Sequence, residues 1–207
     1  MADPGARPYR GVTAGVRHAE RRRRFLAAGL DLLGAEPPVE LTMRVICRQA
    51  GLSPRYFYEN FTDKDEFVAA VFDDVVATLA ATTQAAVAAA PPAEQNRAGI
   101  ANIVHSIESD PRVGRLLFSA RLSNAVLLRK RAEQGGLFAM LSSEHIQSAL
   151  RVAATPRIAA IAHFVVGGVG ETLSAWLAGA VGLSAEELVD QLTSTIDRLN
   201  EPRLFRA

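Results

Sequence analysis

The twenty residues from Thr42 to Phe61 constrain this chain more than any other stretch, because they punctuate two short helices around one glycine. Thr42 can cap a first helix through its hydroxyl, which accepts a bond from an unpaired N–H of the opening turn. Val45, Ile46, Gln49 and Ala50 recur at three- and four-residue spacing, so Val45, Ile46 and Ala50 form one inward stripe. Gly51 supplies a left-handed or otherwise permissive position without a Cβ penalty. Ser53 is a good N-cap, and Pro54 falls at the first helical position, where its missing N–H costs nothing. Arg55, Tyr56, Tyr58 and Asn60 follow on a helix too short to be mainly core. The order helix, tight turn, short polar helix is a helix-turn-helix, whose second helix enters the DNA major groove.

In these positions the chain resembles the DNA-binding domain of the TetR-type regulators. That family's pattern runs Thr-x-x-x-Ile-Ala-x-x-Ala-Gly-Val-Ser, then x-x-x-x-Tyr-x-His-Phe, then x-x-Lys-x-x-Leu. Thr42, Ile46, Ala50, Gly51, Ser53, Tyr58, Phe61 and Lys64 stand in register with it. The chain departs at Cys47 for Ala, Leu52 for Val, Asn60 for His and Phe67 for Leu. The resemblance covers about a quarter of the chain through these residues and the remainder through length and helical layout. It implies an all-α fold, with an N-terminal three-helix helix-turn-helix domain and a larger C-terminal helical ligand-binding and dimerisation domain. It also implies that Thr42, Ser53, Tyr58 and Lys64 bind phosphates and fix the register on the duplex. Arg55 and Tyr56 suit base contacts, since Arg pairs bidentately with guanine and an aromatic ring packs on a thymine methyl. Arg44, Pro54 and Asn60 complete the expected DNA-facing set, Asn60 being a polar exchange that alters a phosphate contact.

Composition agrees with a helical chain. Its 207 residues are enough for one or two domains with a substantial core, and 49% are hydrophobic, too many for a disordered chain. Ala and Leu dominate, with few long β-branched runs. The formal net charge is +1, but it is unevenly spread. Residues 1–61 hold ten Arg, no Lys and six Asp or Glu, whereas residues 62–207 hold thirteen basic and sixteen acidic groups. A polyanion is therefore drawn to the end that carries the motif. Cys47 is the single cysteine, which excludes an intrachain disulfide and a thiolate-rich zinc site. Its inward place on the first motif helix reads as a small buried residue. No charged n-region precedes an apolar h-region. The longest apolar stretch, Ile158 to Val169, is interrupted by His163 and glycines and reads as too short to span a bilayer. The expectation is a cytoplasmic protein with no membrane partner.

Residues 1–18, with Pro4, Gly5, Pro8, Gly11, Gly15, Arg7, Arg10 and Arg17, read as a flexible basic arm. Residues 19–63 form the helix-turn-helix domain. Its first helix runs from about Ala19 to Leu33, carries Leu26, Leu30 and Leu33 on one face with Phe25 beside them, and ends at Gly34 and Pro37-Pro38. Arg21 to Arg24 fall in its first turns, where cations oppose the helix dipole, which favours a phosphate-facing role for some of them. Residues 64–207 form the ligand-binding and dimerisation domain. Thr62 or Asp63 caps its first helix with Asp65 and Glu66 placed for a capping box. Phe67, Val71, Val75 and Leu79 carry this helix toward Ala90, and Pro91-Pro92 stops it; about 25 residues span about 38 Å. Such a helix is either a mechanical link or a passive spacer. Further helices are expected near 94–108, 112–120, 124–151, 156–179 and 184–200.

The last two of these helices carry stripes of apolar and small residues: Ile158, Ile161, Val165, Gly168, Thr172 and Ala175 on one, Leu188, Leu192 and Ile196 on the other. They suit an intrachain hairpin or a homodimer interface. The resemblance implies the second, a four-helix bundle across a two-fold axis.

Enzyme signatures are missing: there is no Gly-x-Ser-x-Gly elbow, P-loop or His-Glu-x-x-His. Gly168-Val169-Gly170 is a fragment of a dinucleotide fingerprint without its strand or third glycine, and reads as helix-packing glycine. His105, His145 and His163 lie on separate helices and read as ordinary histidines, so no catalytic, metal or cofactor site is expected. A ligand cavity is the better reading, lined by His105, Leu117, Phe118, Phe138, Leu141, Phe164 and Trp176 and suited to a hydrophobic or amphipathic small molecule. The expected protein is a homodimeric repressor on a pseudo-palindromic operator in double-stranded DNA, released by such an effector. An activator, a ligand-independent regulator, or a helical carrier or enzyme with a vestigial motif are the alternatives.

Overall fold

The computed structural model describes residues 14–119, 124–150 and 153–199, and every regular element among them is helical. The helices are α1 (Ala14–Leu33), α2 (Met43–Ala50), α3 (Pro54–Tyr58), α4 (Lys64–Ala89), α5 (Gln95–Ser109), α6 (Pro111–Phe118), α7 (Ala125–Leu150), α8 (Pro156–Leu177) and α9 (Ala185–Leu199). A 3₁₀ turn, Pro92–Glu94, follows the Pro91-Pro92 stop. Two compact units divide within α4, between Asp74 and Val75. Of the expected arm, residues 14–18 are already helical; residues 1–13 lie outside the described residues.

The first unit is built on aromatic packing. Phe25 of α1, Phe57 of α3, Phe61 in the segment after it and Phe67 at the start of α4 are almost wholly buried. Phe25 meets Phe57 edge-on with centroids 5.6 Å apart, and Phe61 meets Phe67 in the same way at 5.2 Å. Such pairs contribute about 0.5–1.5 kcal/mol beyond their area. Ala28, Leu32 and Leu33 of α1, Ile46, Cys47 and Ala50 of α2, and Val68, Val71 and Phe72 of α4 complete this core. Phe67, the departure from Leu in the family pattern, is thus a core ring. Burial pushes the Cys47 thiol above its usual range, which fits a packing residue and not a reactive one. Gly29 lets α1 close on α4: a Cβ there would collide with the Val71 side chain and come within 2.8 Å of Phe67 Cζ.

The second unit follows its caps. Asp110 and Thr155 accept from backbone N–H groups at the starts of α6 and α8, each followed by proline at the first helical position. Asn124 caps α7, and Ser184 with Glu187 forms a capping box at α9. Ile100, Val104 and Ile107 of α5, Leu173 of α8, and Leu188, Val189, Leu192 and Ile196 of α9 make one continuous core. Polar contacts tie α5 to α9 at its rim, where Arg97 pairs with Glu186 and Asp190.

Candidate nucleic-acid interface

The turn between α2 and α3 forms as its residues dictate. Thr42 Oγ1 accepts from Val45 N at 3.3 Å, and Gly51 takes the left-handed conformation (φ 63°, ψ 35°) that a Cβ would strain. Gly51 N–H returns to the Arg48 carbonyl and Leu52 N–H to that of Cys47, which closes the C-terminus of α2. Ser53 takes the extended N-cap conformation of α3, although its hydroxyl makes no cap bond and stays exposed.

With only five residues, α3 cannot hold itself by propensity. Phe57 holds it. This side chain is fully buried, and its ring touches those of Phe25, Phe61 and Phe67. Three of the other four residues are thereby turned outward: Pro54 and Arg55 are exposed, the Arg55 side chain by 85%, and Tyr58 is 62% exposed. Thr42, Arg44 and Lys64 are exposed on the neighbouring elements. Tyr56 is half-buried beneath Arg21, whose guanidinium carbon lies 4.4 Å from the ring centroid. The structure thus leaves Thr42, Arg44, Ser53, Pro54, Arg55, Tyr58 and Lys64 accessible to a polyanion.

Asn60 departs from the expected set. Its amide donates to the Tyr56 carbonyl at 2.7 Å, and its Oδ1 is buried without a hydrogen-bond partner. It closes the end of α3, with its amide turned onto the helix backbone. The arginine run also departs from its expected role. Arg22 Nη1 donates to the Asn60 carbonyl at 3.0 Å and its guanidinium lies over the Phe61 ring. Arg24 Nη2 donates to the carbonyls of Ala50 and Gly51, at 2.8 and 3.2 Å. Arg21 pairs with Glu59 at 3.2 Å, and Arg23 pairs with Glu20. Three of these four cations therefore cap or buttress the helix-turn-helix from α1. Glu59, which carried no signal in the sequence, receives Arg21 on Oε2 and Arg55 Nε on Oε1, both at 3.2 Å.

Residues 25–71 match the profile of the bacterial regulatory proteins, tetR family. Residues 25–71 form a TetR-family domain. The chain is similar in fold to a TetR-family transcriptional regulator from Syntrophomonas wolfei, at 16% identity and a TM-score of 0.73 over 88% of this chain and 95% of that one. It is similar to the fatty acid degradation regulator FadR from Bacillus halodurans, at 14% identity and a TM-score of 0.67 over 88% and 95%. FadR from Bacillus subtilis, solved in complex with stearoyl-CoA, gives 17% identity and a TM-score of 0.64 over 83% and 95%. A comparison with curated proteins finds no match.

In the unit that follows the TetR-family domain, the expected ligand set is dispersed. Leu117 is buried; Phe118 and Trp176 pack against the Ile100–Ile196 core, and the Trp176 indole donates to the Leu183 carbonyl at 2.8 Å. Phe138 is half-buried, whereas His105, Leu141 and Phe164 are exposed, so the seven do not line one enclosed space. The periodicity that selected them reports an apolar face and not what covers it. An open groove of about 450 Å³ lies instead in the first unit, between Arg22, Leu26, Glu66, Ala69, Ala70, Asp73 and Asp74. Its carboxylates do not suit an apolar effector.

The expected dimer set divides in two. Ile158, Leu188, Leu192 and Ile196 are buried inside the chain itself and cannot face a second copy. Ile161, Val165, Thr172 and Ala175 are half-buried and Gly168 is exposed. Phe164, assigned above to a cavity, is 67% exposed beside them. A Cβ at Gly167, Gly168 or Gly170 would meet nothing within 4 Å, so these glycines serve no close helix packing among the described residues. The helix ends close to its expected bound, but its apolar character extends beyond the expected stretch of Ile158 to Val169: Pro156–Leu177 is long and apolar enough to cross a membrane by length and composition, and 17% of its most apolar window is buried.

Proposed function

We propose that this protein is a homodimeric transcriptional regulator that reads a pseudo-palindromic operator with α3 and works in the cytoplasm. The observation that carries this reading is the one-sided anchoring of α3: Phe57 is its single buried residue, and Arg55 and Tyr58 are held outward on a TetR-family domain. Arg55 and Tyr56 read bases, while Thr42, Ser53, Tyr58 and Lys64 contact phosphates. The two α3 helices of a dimer lie about 34 Å or a multiple apart. The apolar surface of α8, from Ile161 through Phe164, Val165 and Gly168 to Thr172, supports a second copy as its cover, because open glycines let two helix backbones approach closely. Selection of bound duplexes from a randomised library tests the reading. An enriched inverted repeat supports it; retention of all sequences alike rejects it.

The regulator acts as a repressor released by a hydrophobic or amphipathic molecule. The stearoyl-CoA complex of a structural neighbour makes long-chain acyl thioesters the first probes. Release requires that the effector prefer the dimer whose α3 helices are wrongly spaced for DNA. A second reading, a regulator without a small-molecule effector, gains support from the dispersal of the expected cavity residues. Operator affinity measured with and without acyl-CoA of graded chain length separates the two.

A further inference from the structure

The structure assigns to Glu59 the role of a positioning residue that sets base discrimination by Arg55; this rests on the DNA-binding reading above. Arg55, in the first turn of α3, and Glu59, its C-cap, stand one turn apart on the exposed side, and Arg55 Nε donates to Glu59 Oε1 at 3.2 Å. The other carboxylate oxygen, Oε2, accepts from Arg21 of α1 at 3.2 Å, and the Glu59 carbonyl lies 3.1 Å from His18 Nε2 of the same helix. Glu59 is thus fixed from α1 and passes that constraint to α3.

Guanidinium geometry explains the consequence. An arginine reads guanine with a planar pair of N–H donors, directed at O6 and N7. A fork whose Nε is already taken by a carboxylate keeps its two terminal nitrogens free and fixes its plane. Less rotamer freedom is then lost when the base is engaged. The Arg55 side chain is 85% exposed, so this single ion pair is its restraint among the contacts described. Through Arg21, the same carboxylate also holds the cation that lies over Tyr56, so both base-reading side chains depend on it.

Charge adds a second effect of the same sign. A carboxylate beside the phosphate-facing surface weakens attraction to every duplex and leaves base contacts to supply the difference. Glu59 therefore lowers affinity for non-specific DNA while it raises the preference for the operator. A residue serving only fold stability would change both affinities together.

The test uses the full chain, the inverted repeat enriched by selection, and a scrambled duplex of equal length. In Glu59→Gln and Glu59→Ala, affinity for the scrambled duplex is expected to rise, and the operator-to-scrambled ratio to fall at least about tenfold, within the range of one bidentate base contact. The loss should concentrate at the base pair whose readout disappears in Arg55→Ala. In the Arg55→Ala background, Glu59→Ala should leave the preference at that base pair unchanged, since the two residues act as one unit. Melting curves confirm that the variants are folded, and Glu59→Gln keeps the side chain's shape should Glu59→Ala fail to fold. An unchanged ratio in Glu59→Gln, or equal losses with and without Arg55, overturns the assignment. Absence of any preference in the wild-type protein would instead reject the DNA-binding reading, and this inference with it.

Discussion

Replacing Phe164 by Asp isolates the proposed contact between two copies, because this ring contributes little to the chain's own core. Phe164 is 67% exposed in the single chain. An aromatic side chain presents about 150–250 Å², so about 100–170 Å² awaits cover. At about 25 cal/mol per Å² that surface is worth about 2.5–4 kcal/mol in each copy, and a two-fold axis uses it twice. Part of this is offset by ordering of the interface and by imperfect packing. The substitution also places two carboxylates in the contact. An increase of at least about a thousandfold in the dimer dissociation constant is expected, equivalent to about 4 kcal/mol. Sedimentation velocity across a micromolar concentration series reads it directly, with far-UV circular dichroism to show that the helices persist. The reasoning fails if wild type sediments as a monomer, or if Phe164→Asp stays dimeric at the same concentrations.

Three further outcomes are expected. Lys64→Ala should weaken binding to all duplexes alike and reduce the salt slope by about one unit, whereas Arg55→Ala should relax sequence preference by about 1–3 kcal/mol per half-site; filter binding across a salt series distinguishes them. Gly29→Ala should lower stability by about 1–3 kcal/mol, read as a lower denaturation midpoint, because a methyl there collides with buried Val71 and Phe67. The Glu66 carboxyl is held below its usual range by the Thr62 N–H and hydroxyl, which donate to Oε2 at 2.6 and 2.7 Å. Its contribution is therefore present above the ordinary carboxylate range and is lost as pH falls through the lowered folded value. An acid titration of the melting midpoint should show a shallower decline in Glu66→Gln, and identical profiles would refute this.

Local signals carried most of the fold. Gly51, the Thr42 cap and the Asp110-Pro111 and Thr155-Pro156 boundaries act over a few residues, so they could be read along the chain and recur where expected. Sequence signals put the start of α1 near Ala19, whereas the described helix already runs from Ala14. What failed to show was the choice among partners. Ile158 and Phe164 lie on the same apolar helix, yet the first is wholly buried and the second mostly exposed. Periodicity marks both as apolar and is silent on which one its own chain covers. The arginine run misled for a related reason. Its charge is visible in sequence, but the Asn60 carbonyl that Arg22 serves lies 38 residues away. Asn60 itself looked like a surface polar group because its inward bond to Tyr56 depends on where α3 ends.

Arg22 and Arg24 give the charge count of this domain a different meaning. A guanidinium can bridge two carbonyls from one terminal nitrogen, or lie flat on a ring while it donates at its edge; an ammonium can do the first but not the second in one orientation. Arg24 does the first at Ala50 and Gly51, and Arg22 does the second at Asn60 and Phe61. Exchange of Arg22 for lysine would keep the charge at this end of the molecule and undo the joint beneath it. Ten arginines and no lysine in residues 1–61 thus describe, in part, a carpentry of guanidinium groups and not only an attraction to nucleic acid.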